Sequence, residues 1–294
     1  MDSALTSVGL PIALAVVMLG LGLSLTLGDF ARIAREPRAV AGALVAQVIV
    51  LPALCFGLVE LFDLDPVLAV GMMLLAASPG GTTANLMSHL FRGDVALNVT
   101  LTAVNSVLAV ITLPIVVNLA LDHFNPAIGD GGLGLQYDKV VQVFAIVLIP
   151  VALGMLVRRW SPEFADRADR PVRLLSALVL AAVIAAALFA ERANLTDYLA
   201  SIGLVATLFC LCSLALGYAV PRLLRVKHSQ AVASAFEVGV HNSTLAITVA
   251  VSVLGSEALA VPAAVYGILM FPLAAAAGLL LVRVGDRAPA EITR

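Results

Sequence analysis

The sequence is a series of long apolar segments joined by short polar connections, and this pattern leaves few folds open. A helix needs about 20 apolar residues to cross the hydrocarbon core of a bilayer. Segments of that length lie at residues 8–28, 38–62, 66–91, 94–120, 138–158, 171–192, 197–222, 229–254 and 259–283. Only 12% of the 294 residues are charged, against about a quarter in soluble domains. We therefore predict an all-α integral membrane protein with nine transmembrane helices, forming a single transmembrane domain over residues 1–294.

The basic residues indicate how the chain is oriented in the membrane. Lys and Arg are enriched in cytoplasmic connections. If the N-terminus is outside, the inside connections and the C-terminal tail hold 15 of the 17 basic residues, and only Lys139 and Arg192 fall outside. The opposite orientation reverses this ratio. We therefore predict a multi-pass protein of the cell membrane, with its N-terminus outside and its C-terminus in the cytoplasm.

One acidic side chain lies in the middle of a predicted span. Of the 19 acidic residues, all but Glu237 fall in connections, tails or span ends. A charged side chain at mid-membrane costs at least ~2.5–3.5 kcal/mol on insertion scales, so it faces a cavity or a partner. No Lys or Arg lies at that depth, which leaves a bound cation, a proton or hydrogen-bond donors as the partner. Glu237 is thus a candidate functional residue, the alternative being a protonated, structural Glu.

Two predicted spans are interrupted at mid-length by polar, glycine-containing segments. These read ASPGGTTAN at 77–85 and AFEVGVHNST at 235–244. Proline removes a backbone donor and clashes with the preceding turn, and glycine makes an unwound link inexpensive. Irregular backbone at membrane depth persists only where it is buried in protein or lines a cavity. The predicted helix breaks are at Pro79, Gly80, Gly81 and Gly239.

The two interrupted spans occupy equivalent positions in an internal repeat. Repeat one covers about 8–120 and repeat two about 138–285, with spans one to four laid over spans six to nine. Span one runs inward and span six outward, so the repeats are inverted. Inverted repeats with interrupted helices at matching positions are the pattern of secondary transporters, whose sites lie at mid-membrane. The sequence therefore predicts secondary active transport by alternating access.

The motifs at the two breaks resemble those of the bile acid:sodium symporter family. The matching stretches are PGGTTAN at 79–85, RGDVAL at 92–97, EVGVHNS at 237–243 and MLGLGLSL at 18–25. The resemblance covers essentially the whole chain. It implies a core domain with two crossed discontinuous helices, a separate panel domain, and sodium-coupled symport of an organic anion.

The resemblance also implies where ions and substrate bind. The first sodium site would use Asn85, Asn98, Thr102 and Glu237. The second would use Gln47, Glu237, His241 and the backbone carbonyls of Val238 and Val240. Thr83 and Asn242, near the starts of the second half-helices, are expected to contact the substrate. The charges of two sodium ions and one Glu carboxylate add up to a net charge of one positive unit, which favours a monoanionic substrate.

Three residues depart from the family pattern. Ala84 stands where a hydroxyl is usual, which removes an oxygen from the first site. Asn98 stands where Ser is common, and its amide oxygen can substitute. His241 stands where Gln is typical, and imidazole is a poorer sodium ligand that also titrates near neutral pH. The alternative function is therefore a proton-coupled carrier or antiporter of the same fold that uses Glu237 and His241.

An intramembrane enzyme would need a second catalytic group near Glu237, such as another Asp, a Ser–Lys pair or a metal site, and the sequence suggests none. We expect a transporter without a cofactor beyond the coupling ion and without a nucleic-acid partner. The expected partners are the lipid bilayer, sodium ions and a bile acid-like compound, small carboxylate or sulfonate. Asn105 and Ser106 are either interhelical hydrogen-bonding groups or part of the site.

Overall fold

The computed structural model describes residues 34–126, 137–168 and 195–287, with scattered residues of 15–28 and 171–178. Most of predicted span one, most of span six and the glycine-rich stretch at 127–136 lie outside the described residues. Arg192, one of the two basic residues predicted to lie outside the cell, also falls there.

The described elements are helices. They are α1 Pro37–Leu61, α2 Pro66–Ala77, α3 Thr82–Leu90, α4 Val95–Phe124, α5 Tyr137–Trp160, α6 Leu195–Leu223, α7 His228–Gly239, α8 Ser243–Val253 and α9 Val261–Arg287. Their outer ends agree with the predicted segments to within about four residues. The difference is largest at α4 and α9, which continue four residues beyond their predicted ends, to Phe124 and Arg287.

Within the described residues, four helical stretches are long and apolar enough to cross a membrane. They are Pro37–Leu61, Val95–Phe124, Ile202–Leu223 and Ala258–Asp286. The shorter apolar helices α2 and α8 belong to the two interrupted spans. Along α4, the exposed side chains Ile111, Ile115 and Leu119 recur once per turn, as expected for a face turned toward lipid. The chain is a multi-pass, all-helical membrane protein.

Polar residues explain where several of the helices begin and end. Asp65 accepts a hydrogen bond from the backbone N–H of Val67 at the start of α2, and Asp94 accepts one from Leu97 at the start of α4. Both are N-cap interactions, which satisfy helix donors that have no intrahelical partner. At the other end of α4, Asn125 adopts the left-handed conformation that stops a helix.

Polar contacts sort the helix ends into two groups. The contacts at one end join Arg92 to Asp286 at 3.0 Å and Gln230 to Glu36 at 2.8 Å. The contact at the other end joins His123 to Glu60 at 2.7 Å. Glu36 precedes α1 and Glu60 lies in its last turn, and in the same way Arg92 precedes α4 and His123 lies in its last turn. The two groups therefore mark two faces of the helix bundle.

The interrupted helices form the centre of the bundle. Every residue of α2 from Leu68 to Ala77 and of α7 from Ala231 to Gly239 is buried. Helix α7 packs on α6, α4, α3, α1 and α9, and α2 packs on α4, α1 and α9. Helix α2 is apolar on all sides, as expected for such an interior position. This burial places both interruptions within the protein rather than against lipid.

Candidate functional site

The first interruption follows from the proline. Helix α2 ends at Ala77, and Ser78 is extended, with φ −73° and ψ 136°. A residue before proline avoids the helical region because the proline ring clashes with its backbone. Helix α3 starts again at Thr82. The structure therefore places Pro79, Gly80 and Gly81 between the two half-helices.

The second interruption has no proline and lies one residue later than Gly239. Gly239 is the last residue of α7, and the non-helical residues are Val240, His241 and Asn242. Asn242 caps α8 by accepting a hydrogen bond from the N–H of Leu245 at 3.1 Å. A Cβ atom at Gly239 would lie 2.5 Å from the side chain of Leu214. This glycine is thus needed for close packing of α7 on α6.

The two interruptions pair with each other through their backbones. Gly80 and His241 form an isolated antiparallel bridge. The N–H of Asn242 donates to the Pro79 carbonyl at 2.8 Å, and the N–H of Gly81 donates to the Val240 carbonyl at 3.4 Å. Backbone groups freed from a helix need partners where water is excluded. The crossing supplies those partners from the opposite half of the molecule.

Glu237 lies directly against this crossing. Its side chain is fully buried, and its carboxylate accepts from the Thr102 hydroxyl at 2.5 Å and from the Asn105 amide at 3.0 Å. The backbone N–H of Gly80 donates a further hydrogen bond to it. A Cβ atom at Gly80 would lie 2.5–2.6 Å from the carboxyl atoms, closer than van der Waals contact allows. Only glycine lets the first interruption approach the carboxylate in this way.

The first predicted sodium set retains free oxygen atoms. The Asn98 amide nitrogen donates to the Ala233 carbonyl at 2.6 Å, which leaves its Oδ1 buried and without a partner among the described residues. Asn85, in the first turn of α3, likewise has a buried Oδ1 without such a partner. Unsatisfied buried oxygens call for an explanation, and a bound ion is one of the usual ones. Together with Thr102 and Glu237, this donor set suits a hard cation.

The second predicted sodium set is arranged differently. Gln47 lies in a π-helical turn of α1, and its Nε2 donates to the Ser78 carbonyl at 3.1 Å. The Nδ1 of His241 lies 3.0 Å from the same carbonyl oxygen. Because a carbonyl can only accept, Nδ1 carries a proton, and in the neutral ring Nε2 is a bare lone pair. Nε2 is buried without a partner among the described residues.

Aromatic rings enclose the His241 side chain. Its ring stacks on Phe209 at a centroid distance of 5.5 Å and meets Tyr266 edge-on at 5.4 Å. The Tyr266 hydroxyl donates to the Gly239 carbonyl at 2.8 Å. Val238 lies in the last turn of α7, where carbonyls lose their intrahelical partners. The end of α7 is therefore held by Tyr266 as well as by the first interruption.

The two predicted substrate residues meet beside Gly81. A Cβ atom at Gly81 would have the Thr83 hydroxyl at 3.6 Å and the Asn242 Cα at 3.8 Å. Thr83 is half-buried and Asn242 is 9% exposed. The residues come from different half-helices, so the crossing brings them together.

The sequence left Asn105 and Ser106 open between the site and interhelical hydrogen bonding, and it did not indicate Tyr266 or Phe209. Asn105 binds the Glu237 carboxylate, whereas Ser106 bonds within its own helix, to the Thr102 carbonyl at 2.7 Å. The helical spacing of Asn98, Thr102 and Asn105, which lie on one face of α4, could have indicated Asn105. Tyr266 and Phe209 lie in apolar segments and carry no comparable signal.

Two discontinuous helices that meet around a buried carboxylate define a secondary transporter. The comparison with known families agrees, since residues 11–198 match the Sodium Bile acid symporter family. The chain belongs to this family, and it is a membrane transporter rather than an enzyme.

Relatives in bacteria, plants and animals are similar to most of the chain. The uncharacterized sodium-dependent transporter YocS of Bacillus subtilis (strain 168) is 29% identical over 257 residues, which cover 87% of this chain and 78% of YocS. The probable sodium/metabolite cotransporter BASS1, chloroplastic, of Arabidopsis thaliana is 29% identical over 257 residues, covering 86% and 62%. The human ileal sodium/bile acid cotransporter is 26% identical over 249 residues, covering 84% and 70%.

Proposed function

We propose that this protein is a sodium-coupled symporter of an organic anion, with the coupling ion bound beside Glu237. The observation that carries the proposal is a fully buried carboxylate that, in the described part of the chain, has hydrogen-bond donors but no cationic side chain as partner. The free oxygens of Asn85 and Asn98 support a cation there. The names of the relatives, which are sodium-dependent transporters or cotransporters, also favour sodium.

We further propose nine spans in one transmembrane domain, with the inverted repeats and the core and panel domains that the sequence predicts. The first half-helices α2 and α7 are both 12 residues long. Helix α2 starts at the face of the bundle marked by Glu60, and α7 starts at the face marked by Glu36. The interrupted helices thus run in opposite directions, as inverted repeats require. The Glu36 face would be cytoplasmic, since the basic connections predicted to be inside lie there.

The substrate would bind where Thr83 and Asn242 meet, in front of the second half-helices. Helices α3 and α8 both begin beside these residues. Helix N-termini carry partial positive charge and favour anions. A bile acid-like compound, a small carboxylate or a sulfonate would suit such a site, and movement of the core against the panel would expose it alternately to the two sides of the cell membrane.

The test is a thermal-shift titration of purified protein with NaCl, using choline chloride to keep the ionic strength constant. A ligand that binds only the folded state raises Tm by mass action. We expect a sodium-specific rise in the wild type that is lost in Glu237→Gln. The matched control is Glu257→Gln, the same chemical change at an exposed position, which should keep the full rise. Equal shifts in NaCl and choline chloride, or an undiminished sodium shift in Glu237→Gln, would contradict the proposal.

One observation favours the proton-coupled alternative. The Thr102 hydroxyl lies 3.0 Å from the Asn98 carbonyl and 2.5 Å from the Glu237 carboxyl. A hydroxyl has a single proton to donate. If that proton goes to the carbonyl, Glu237 must carry a proton of its own, which sodium would displace.

Proteoliposomes that contain a pH-sensitive dye separate the two mechanisms without a substrate. A pulse of external NaCl should raise the internal pH if sodium exchanges for protons. A symporter without its substrate should leave the internal pH unchanged. The same pulse applied to Glu237→Gln is the control for leakage through the membrane.

A further inference from the structure

We infer that this chain binds one sodium ion per transport cycle, because His241 and its neighbours close the second of the two sites that the family resemblance implies. The inference rests on the proposed function, since it concerns the number of coupling ions at the same crossing. The inference and the proposed function can fail separately, because a protein that binds two sodium ions would still be a sodium symporter.

The two side chains of the second set both donate to one carbonyl, which leaves the buried Oε1 of Gln47 as the one side-chain oxygen that this pair can offer a cation. Gln47 and His241 both present an N–H to the carbonyl of Ser78, at 3.1 and 3.0 Å. Position 241 then offers only the Nε2 lone pair, and nitrogen is a poorer ligand than oxygen for a hard cation. Turning the ring cannot correct this, because imidazole has no oxygen to present.

Packing fixes the His241 ring in this arrangement. Phe209 stacks on it at an interplanar angle of 17°, and Tyr266 meets it at 65°. All three side chains are at most 1% exposed. Interiors packed this closely leave little room for a second ring orientation. The Nδ1 contact with Ser78 is thus supported from both sides of the ring.

Two of the three remaining ligands of the second set, Glu237 and the Val240 carbonyl, already accept hydrogen bonds. Both carboxylate oxygens of Glu237 accept bonds from α4, through Thr102 and Asn105. The carbonyl of Val240 accepts from Gly81 in the first interruption. Gln47 lines a small cavity that is shared with Asn105 and does not include His241. The side chains and carbonyl of the second set are therefore divided between contacts to Ser78, to α4 and to the first interruption.

The first set offers free side-chain oxygens at two positions. These are the oxygens of Asn85 and Asn98, beside the elements that hold Glu237. Of its two departures from the family pattern, Ala84 removes an oxygen without introducing a competing group, and Asn98 supplies an amide oxygen. One sodium ion at this set neutralises Glu237.

A single ion changes how the membrane potential acts on transport. Two sodium ions with one monoanion carry a net positive charge inward, whereas one sodium ion with one monoanion carries none. The potential then no longer contributes the roughly fiftyfold concentration gradient that one charge supplies per 100 mV. The symport of a monoanion becomes electroneutral.

The experiment counts bound ions by equilibrium dialysis of the purified protein against radioactive sodium, with choline chloride balancing ionic strength. We expect the wild type to saturate at about one ion per chain with a Hill coefficient of about one, and His241→Gln, which restores an amide oxygen, at about two. Glu237→Gln should bind none. Each variant is first shown to be folded by its Tm in choline chloride.

The outcomes distinguish the inference from the proposed function. Two ions per wild-type chain, or one ion in a folded His241→Gln, would overturn the inference and leave sodium symport standing. No sodium binding by the wild type would overturn the proposed function itself. If His241→Gln does not fold, His241→Asn supplies an amide at the same position, and the wild-type count decides independently of both variants.

Discussion

The two helix interruptions have the same geometry but are produced by different chemistry. At the first, Pro79 removes a donor and forces Ser78 out of the helix, and two glycines follow. At the second, Val240 and His241 are ordinary L-residues held out of the helix by side-chain and backbone bonds from other elements. The first is set by its own covalent structure, and the second by tertiary contacts. Single side-chain changes should therefore affect the second more readily, except where the two interruptions touch.

The largest effect is expected where the first interruption meets Glu237. Gly80→Ala would place a Cβ atom 2.5–2.6 Å from the carboxyl atoms. The carboxylate must move away from Thr102 and Asn105, so the sodium-specific rise in Tm should disappear. Overpacking of this kind also destabilises by about 1–3 kcal/mol, which a lower Tm in choline chloride will report.

The control for this change is Gly57→Ala in α1. A Cβ atom at Gly57 would meet nothing within 4 Å. It is the same substitution in a helix of the same molecule, and alanine favours helix by up to about 1 kcal/mol over glycine. A sodium response that survives in Gly80→Ala would mean that the carboxylate does not need the close approach to the first interruption.

An intermediate effect is expected at the second interruption. Tyr266→Phe removes the hydroxyl that donates to the Gly239 carbonyl. The buried carbonyl then keeps only the weak Cys210 thiol at 4.0 Å as a donor, and an unsatisfied buried acceptor costs about 1–3 kcal/mol. We expect a fall in Tm in choline chloride and a weaker sodium response, since the end of α7 carries Glu237.

Tyr218→Phe is the matched comparison for Tyr266→Phe. Tyr218 is half-buried and bonds to His228 at 2.9 Å, where water can replace the lost partner. Equal losses of Tm in the two variants would indicate that the Gly239 bond is no more important than one near the surface.

The smallest effect is expected at Gly81, the residue that follows Gly80. Gly81 has φ −113°, which any residue adopts, and a Cβ atom there would find its nearest neighbour at 3.6 Å. Gly81→Ala should therefore change stability by less than about 1 kcal/mol, with a small gain expected from a less flexible unfolded chain. Sodium titrations of Gly80→Ala and Gly81→Ala, run side by side, test what the sodium response requires at the first interruption. Loss of the response in Gly80→Ala alone would indicate that it requires the close approach to Glu237. Loss in both variants would indicate that it requires glycine at either position.

The sequence predicted what covalent structure and charge determine. Pro79 marks the first interruption because its ring acts on its own chain, and Glu237 is conspicuous because a lone carboxylate in an apolar span is costly. Gly239 was the less accurate prediction. Glycine permits irregular backbone without requiring it, and here it serves packing against Leu214, so the interruption lies one residue further on.

Contacts between distant elements could not be predicted in the same way. Tyr266 is one aromatic residue in an apolar segment, and nothing in its neighbourhood indicates that its hydroxyl reaches Gly239. The spacing of Asn105 placed it on the polar face of α4. It did not indicate which neighbouring helix this face contacts, and so it did not predict the bond to Glu237. The convergence of Gln47 and His241 on the Ser78 carbonyl depends on three elements at once.

The pairing at the crossing uses only main-chain atoms, and this has a consequence for how such a protein diversifies. Asn242 donates its backbone N–H to the Pro79 carbonyl, and Gly81 donates to Val240. Replacement of a neighbouring side chain such as that of Thr83 leaves these bonds in place. A lineage can thus acquire new cargo by point mutation beside the crossing while inheriting its framework unaltered.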